Sequence, residues 1–159
     1  MLVLSSRSVE ELLSRSCNTE MAATAFDSTV VPEISLRDYL DRLKRALFMT
    51  DAQVWLAVHY IDRYLKASGP TVSFSSMHRL LGTSAVLAQK FDSDVAFPER
   101  AYAKAVGVTV RELMGLQMLF MRSIDFRLMY PSPEEEVTAT QALKLGAPLR
   151  SALEASQEV

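Results

Sequence analysis

Leu80-Leu-Gly-Thr-Ser-Ala-Val-Leu-Ala88 decides the fold. The run holds no charged residue, and small side chains recur all around a helix drawn through it. A helix that is apolar on every side belongs inside a domain. Gly82, Ser84, Ala85 and Ala88 let neighbouring helices come close. The reading is a central helix surrounded by others, not the edge of an open bundle. Lys90 and Phe91 close it, and Asp92-Ser93-Asp94 leads out.

Two helices are predicted before it. The first begins with Ser35 as its cap and Asp38 in the first turn, where the helix dipole favours an acid. Leu36, Leu40, Leu43 and Leu47 form its apolar stripe. Arg37, Asp38, Asp41, Arg42, Lys44 and Arg45 lie mostly off that stripe. The spacings Arg37–Asp41, Asp38–Arg42 and Asp41–Arg45 suit pairs four residues apart on a solvated face. The second helix runs from a cap at Thr50 to Leu65 or beyond, ending before Gly69-Pro70. Val54, Ala57, Val58, Ile61 and Leu65 line one side. Trp55, Tyr60 and Tyr64 widen the arc, so this helix packs on more than one side.

Two helices are predicted after it. A short fourth starts near Pro98, a favoured first-turn residue, with Ala101, Tyr102 and Val106 on its apolar side and Gly107 as its stop. The fifth opens on Thr109-Val-Arg-Glu112, a capping box. Leu113, Leu116, Phe120 and Ile124 make one stripe, and Met114, Met118 and Met121 make a second. One core face accounts for only one stripe. The second reads either as burial on two sides or as an adaptable partner surface, for which methionine is suited. No alternating strand appears, and Pro32, Pro70, Pro98, Pro131 and Pro133 fall between the periodic segments, so the fold class is all-α. Val9, Leu12 and Leu13 suggest a short helix near the start. Ser132-Pro133-Glu134-Glu135 is a further capping box, announcing a helix over 133–145, and the signal weakens from Gly146 onward.

Composition excludes several function classes. The 159 residues are 49% hydrophobic and 23% charged, enough to bury the core of one ordinary domain. A formal net charge of -2 supplies no global field toward nucleic acid or membrane. The basic residues of the first helix alternate with Asp38 and Asp41, and no aromatic platform accompanies them. The uncharged run Leu80 to Gln89 is too short to span a bilayer. Met1 to Leu4 is too short for a signal peptide. The single cysteine, Cys17, forms no internal disulfide, which suits the nucleus or cytoplasm. No glycine-rich phosphate loop and no Gly-x-Ser-x-Gly elbow is present. His59 and His78 stand on different helices and read as core or rim histidines. The acids at helix starts, including Glu134-Glu135-Glu136, are explained by capping. The chain is therefore read as non-enzymatic, with no cofactor and no metal.

Four stretches carry a family likeness. Leu56-Ala-Val-His-Tyr-Ile-Asp-Arg-Tyr-Leu65 resembles the Tyr-Ile-Asp-Arg helix of the cyclin box, and Asp38-Tyr39-Leu40 resembles the Asp-Trp-Leu of its first helix. Thr83-Ser-Ala-Val-Leu-Ala-Gln-Lys-Phe91 resembles its central helix, and Ile124-Asp-Phe-Arg-Leu128 the end of its fifth. Their order and spacing agree. Pro32-Glu-Ile-Ser-Leu-Arg-Asp-Tyr-Leu-Asp-Arg42, His78-Arg-Leu-Leu81 and Tyr102-Ala-Lys-Ala-Val-Gly107 are similar to the P/U-type group, the phosphate-signalling cyclin and its relatives.

The resemblance implies one five-helix cyclin box over 32–130, after an extension over 1–31 with a short helix and before a C-terminal helix and tail over 131–159. It implies a regulatory subunit that binds and activates a cyclin-dependent Ser/Thr protein kinase. In the family the ends of the third and fifth helices press on the kinase's mobile helix. Carried over residue by residue, the kinase-contacting residues are Leu87, Lys90, Phe91, Gln117, Met121, Phe126 and Leu128. There are departures. Many cyclins place a glutamate where Gln117 stands, which leaves Asp92 or Asp94 as candidates to supply the missing charge to Lys90. The family's Met-Arg-x-Ile-Leu docking pocket is absent, with Pro32-Glu33-Ile34 in its region. Asp62 lacks its usual arginine there, and Arg42 is the candidate replacement. Two rival readings are a cyclin-fold scaffold for non-kinase partners and a transcription-factor-type domain. The second predicts a basic face and two repeats, and the sequence has neither.

Overall fold

A computed structural model describes residues 25–28, 32–68 and 74–135. The chain divides into two compact units, Met1–Leu128 and Met129–Val159. Among the described residues the first unit holds five helices and no strand: α1 (Leu36–Ala46), α2 (Asp51–Ser68), α3 (Phe74–Asp92), α4 (Glu99–Val106) and α5 (Val110–Ser123). Of the second unit, residues 133–135 are helical, with Ser132 Oγ accepting from the Glu135 amide and the Glu135 carboxylate accepting from the Ser132 amide. The short helix around Val9, Leu12 and Leu13, Cys17, and the rest of the helix expected over 133–145 lie outside the described residues.

The caps form where the chemistry requires them. Ser35 Oγ accepts the Asp38 amide at 3.0 Å, satisfying one of the orphan donors of α1. Thr50 Oγ1 accepts the Gln53 amide at 3.2 Å, and Gln53 Oε1 accepts the Thr50 amide at 3.1 Å, a reciprocal capping box. Thr109 Oγ1 accepts the Glu112 amide at 3.2 Å. The Glu112 carboxylate pairs with Arg79 at 2.6 Å, tying α5 to α3. Pro98 is the extended cap residue of α4, which begins at Glu99. Gly107 ends α4 with φ 88°, a left-handed conformation that glycine adopts without a Cβ penalty.

Helix α3 packs against α1, α2, α4 and α5. From Leu80 through Gln89 every residue is buried. The helix begins at Phe74, earlier than the apolar run that announces it. Gly82 shows why the run needs small residues. A Cβ there would lie 2.6 Å from Tyr39 Oη and 2.8 Å from a Val106 methyl, so α1 and α4 both touch the α3 backbone at this point. Tyr39 Oη donates to the Val106 carbonyl at 2.9 Å. Burial pushes the Tyr39 hydroxyl well above its ordinary titration range, against the smaller pull of Arg42 and Arg79.

The predicted stripes are the core. Leu36, Leu40, Leu43 and Leu47 are buried, as are Val54, Ala57, Val58 and Ile61, and Leu113, Leu116, Phe120 and Ile124. Leu65 is half-buried. Phe26, from the stretch read as an extension, is also in the core. Its ring stands edge-on to Tyr64 at 5.3 Å and to Phe120 at 6.2 Å, and those two rings stack at 5.1 Å.

Three charge pairings differ from expectation: Asp38–Arg42, Asp62–Arg42 and Asp41–Arg45. Arg42 serves neither Asp38 nor Asp62. Its Nη2 donates to the carbonyls of Ala105 at 3.1 Å and Lys104 at 3.4 Å, capping the C-terminus of α4. Asp62 pairs with Lys66 one turn on, at 2.6 Å. Arg45 Nε reaches the backbone carbonyl of Asp41 at 3.2 Å. Two orphan helix carbonyls give the guanidinium fixed acceptors, and a cation at a helix C-terminus is favoured by the dipole.

Candidate functional site

Lys90 lies in the last turn of α3, where the helix dipole favours a cation. Its ammonium is engaged on three sides. Nζ donates to Glu99 Oε1 in an ion pair, donates to Gln117 Oε1 at 2.9 Å, and sits 4.8 Å from the centre of the Tyr102 ring. Gln117 Nε2 donates to Glu99 Oε2 at 3.4 Å. The amide of Gln117 therefore bridges cation and anion, accepting from one and donating to the other. The carboxylate that offsets the neutral Gln117 is Glu99, at the first position of α4, rather than Asp92 or Asp94.

The segment between α3 and α4 is fixed so that Glu99 arrives there. Tyr102 Oη donates to Gln89 Oε1 at 2.6 Å and accepts from the Phe97 amide at 3.2 Å. Gln89 Nε2 donates to the Val95 carbonyl at 3.2 Å. The Phe97 ring meets Tyr102 edge-on at 5.7 Å. One buried phenol thus organises the loop and the ring face under Lys90.

Around this anchor the surface is apolar. Met114, Gln117, Met118 and Met121 recur at intervals of three and four residues and share one side of α5. Met114 is 56% exposed and Met118 42%, so these methionines are not buried against another of the described helices. Leu119 and Phe91 are exposed as well. Met121 is half-buried and packs on the core.

The chain after α5 makes a tight reversal. Asp125 and Phe126 both adopt the left-handed conformation, with φ 54° and 55°, although neither is glycine. Phe126 is 58% exposed and Leu128 half-buried. Tyr60 Oη donates to the Leu128 carbonyl, and Arg63 Nη1 donates to the Arg127 carbonyl at 2.9 Å. The Tyr-Ile-Asp-Arg stretch of α2 therefore holds the Ile124-to-Leu128 stretch, two motifs that sequence reading singles out separately.

Of the seven residues proposed from sequence, Lys90 and Gln117 are in direct contact, and Phe91 adjoins Lys90. Met121, Phe126 and Leu128 lie at the C-terminal end of α5 and beyond. Leu87 is buried at 4% exposure and lies beneath the surface. Glu99, Tyr102, Tyr60 and Arg63 carry no sequence signal that marks them as site residues. An acid after a proline at a helix start reads as dipole compensation, and nothing local says that it will meet Lys90. Among the described residues no group of three or more His, Cys, Asp and Glu is placed to hold a metal. His59 meets Trp55 edge-on at 4.2 Å, and His78 Nε2 lies 2.8 Å from the Ile34 carbonyl. No helix among the described residues is long and apolar enough to cross a membrane.

The family model described as Cyclin matches residues 4–128. Cyclin-U4-2 of Arabidopsis thaliana is 32% identical over 117 residues, covering 73% of this chain and 54% of that protein. Cyclin-U3-1 of the same plant is 36% identical over 107 residues, covering 67% and 48%. Cyclin-P3-1 of Oryza sativa subsp. japonica is 32% identical over 107 residues, covering 67% and 45%. The chain spans about half the length of these curated relatives.

Proposed function

The chain belongs to the cyclin family, with relatives of the U and P types, and from that premise we propose that it is a non-catalytic subunit that binds and activates a cyclin-dependent Ser/Thr protein kinase. The observation that carries the proposal is the arrangement at the ends of α3 and α5. A partly exposed, triply engaged Lys90 stands beside exposed Phe91, and α5 and the turn after it carry exposed Met114, Met118 and Phe126. Exposed aromatics and methionines around a partly buried polar anchor are what a protein-binding patch needs.

Activation follows from differential binding. A subunit shifts a kinase toward its active arrangement only by binding that arrangement more tightly than the inactive one. A tenfold preference corresponds to about 1.4 kcal/mol, and a near-complete switch to about 5.5 kcal/mol. A rigid surface suits this role, because ordering it on binding costs little. The Lys90–Glu99–Gln117 bridge and the Tyr60 and Arg63 bonds to the post-α5 turn supply that rigidity.

The test is recovery of the protein from its own cells with identification of what accompanies it, beside a Lys90→Glu variant. A cyclin-dependent kinase is expected with the wild-type chain, active on a peptide substrate, and in lower yield with the variant. Equal recovery by both would place the contact away from Lys90. No kinase with either, and other proteins or DNA instead, would overturn the proposal in favour of a scaffold or a transcription-type domain.

A further inference from the structure

The reversal after α5 is built at a cost that packing alone does not explain. Two successive residues with a Cβ, Asp125 and Phe126, occupy the left-handed region, which such residues visit sparsely. Both are exposed, so neither gains burial from the conformation. Strained backbone of this kind persists only where its surroundings over-determine it. Local bonds contribute: the amides of Asp125, Phe126 and Arg127 donate to the carbonyls of Arg122 at 3.1 Å, Met121 at 2.8 Å and Ile124 at 3.1 Å.

The remaining constraint comes from another helix. Tyr60 and Arg63, three residues apart, share one face of α2. They donate to two successive carbonyls, Leu128 and Arg127. Tyr60 is fully buried and Arg63 is 8% exposed. The Arg63 guanidinium also lies 6.0 Å from the Tyr60 ring centre. Burying an arginine is unfavourable unless its donors are used, and Nη1 is used on the backbone of a surface turn. A hydrophobic side chain of like volume fills the space without that requirement. What an apolar side chain does not do is hold a carbonyl in place.

We infer that Tyr60 and Arg63 are positioning residues: they do not contact the partner but hold the strained turn so that Phe126 and Leu128 present a pre-formed contact. The inference rests on the kinase-binding reading given above. It makes the Tyr-Ile-Asp-Arg stretch part of the binding surface without being on it. A turn released from the clamp relaxes out of the left-handed region and moves Phe126. The partner then binds only the fraction of molecules that still hold the turn.

The experiment is a double-mutant cycle in binding, read with amide hydrogen exchange. The probe is the cyclin-dependent kinase recovered with the wild-type full-length chain. Arg63→Met, Phe126→Ala and the double variant are compared with wild type. Arg63→Met is expected to keep its helical circular dichroism, to lose exchange protection at the amides of Phe126 and Arg127, and to bind about tenfold more weakly. The double variant is expected to bind no more weakly than Phe126→Ala alone, because Arg63 acts through the turn. Additive losses would overturn the inference while leaving the kinase reading intact, as would unchanged protection in Arg63→Met. If Arg63→Met loses its helical signal, the cycle is decided with Tyr60→Phe, which removes a single hydroxyl. A wild-type chain that binds no kinase overturns both readings together.

Discussion

Replacing glycine by alanine in two helices of this protein is expected to have opposite effects, and the structure sets the size of each. Both Gly82 in α3 and Gly115 in α5 are helix-interior glycines, where alanine gains about 1 kcal/mol in helix propensity. At Gly115 a new Cβ meets nothing within 4 Å, so Gly115→Ala keeps that gain and stabilises by about 0.5–1 kcal/mol. At Gly82 the Cβ meets Tyr39 Oη at 2.6 Å and a Val106 methyl at 2.8 Å. The tyrosine oxygen ends a rigid ring whose hydroxyl is bonded to the Val106 carbonyl, and Val106 is β-branched, so neither yields easily. Overpacking of this kind costs about 1–3 kcal/mol. Displacing Tyr39 from a buried carbonyl adds about 1–3 kcal/mol if no water replaces it. After the propensity gain of about 1 kcal/mol, Gly82→Ala is expected to destabilise by about 1–5 kcal/mol. Urea unfolding followed by circular dichroism measures both. A Gly82→Ala variant as stable as wild type, or moving in the same direction as Gly115→Ala, would refute the close approach of α1 and α4 to α3.

Three further outcomes are expected. Tyr39→Phe loses the bond to Val106 and about 1 kcal/mol near neutral pH. Below about pH 10 the Tyr39 proton is bound in both folded and unfolded chains. Above that, only the unfolded chain releases it readily, so wild-type stability falls as pH rises and the variant falls less steeply, which paired denaturation curves at pH 8 and pH 10.5 resolve. Glu99→Gln removes the charge opposite Lys90; because the pair is partly exposed, the stability change is expected to stay within about 1 kcal/mol while kinase affinity falls, separating the two by calorimetry and binding. Met114→Ser with Met118→Ser alters exposed positions only, so the unfolding free energy is expected to change by less than about 1 kcal/mol and kinase affinity to drop, and a stability loss well beyond that would mean the stripe is structural.

What the amino-acid sequence determined by itself is local and periodic. The uncharged small-residue run of α3 required burial on all sides, and the leucine stripes of α1 and α5 had one core-facing solution each. Ser35, Thr50 and Thr109 marked helix starts because an orphan amide needs an acceptor two or three residues away, which sequence spacing supplies directly. The motif order carried the family. Tertiary structure decided which distant groups meet. Lys90 finds Glu99 and not Asp92 or Asp94, Arg42 caps α4 and not Asp62, and Arg63 of α2 reaches a carbonyl more than sixty residues on. Exposed charge pairs differ by less than about 1 kcal/mol among alternative partners, so they leave no pattern that selects one. A backbone held at positive φ by another helix leaves none either, because its cause lies outside the segment. Core periodicity is written along the chain; the geometry of this contact surface exists only once the helices have packed.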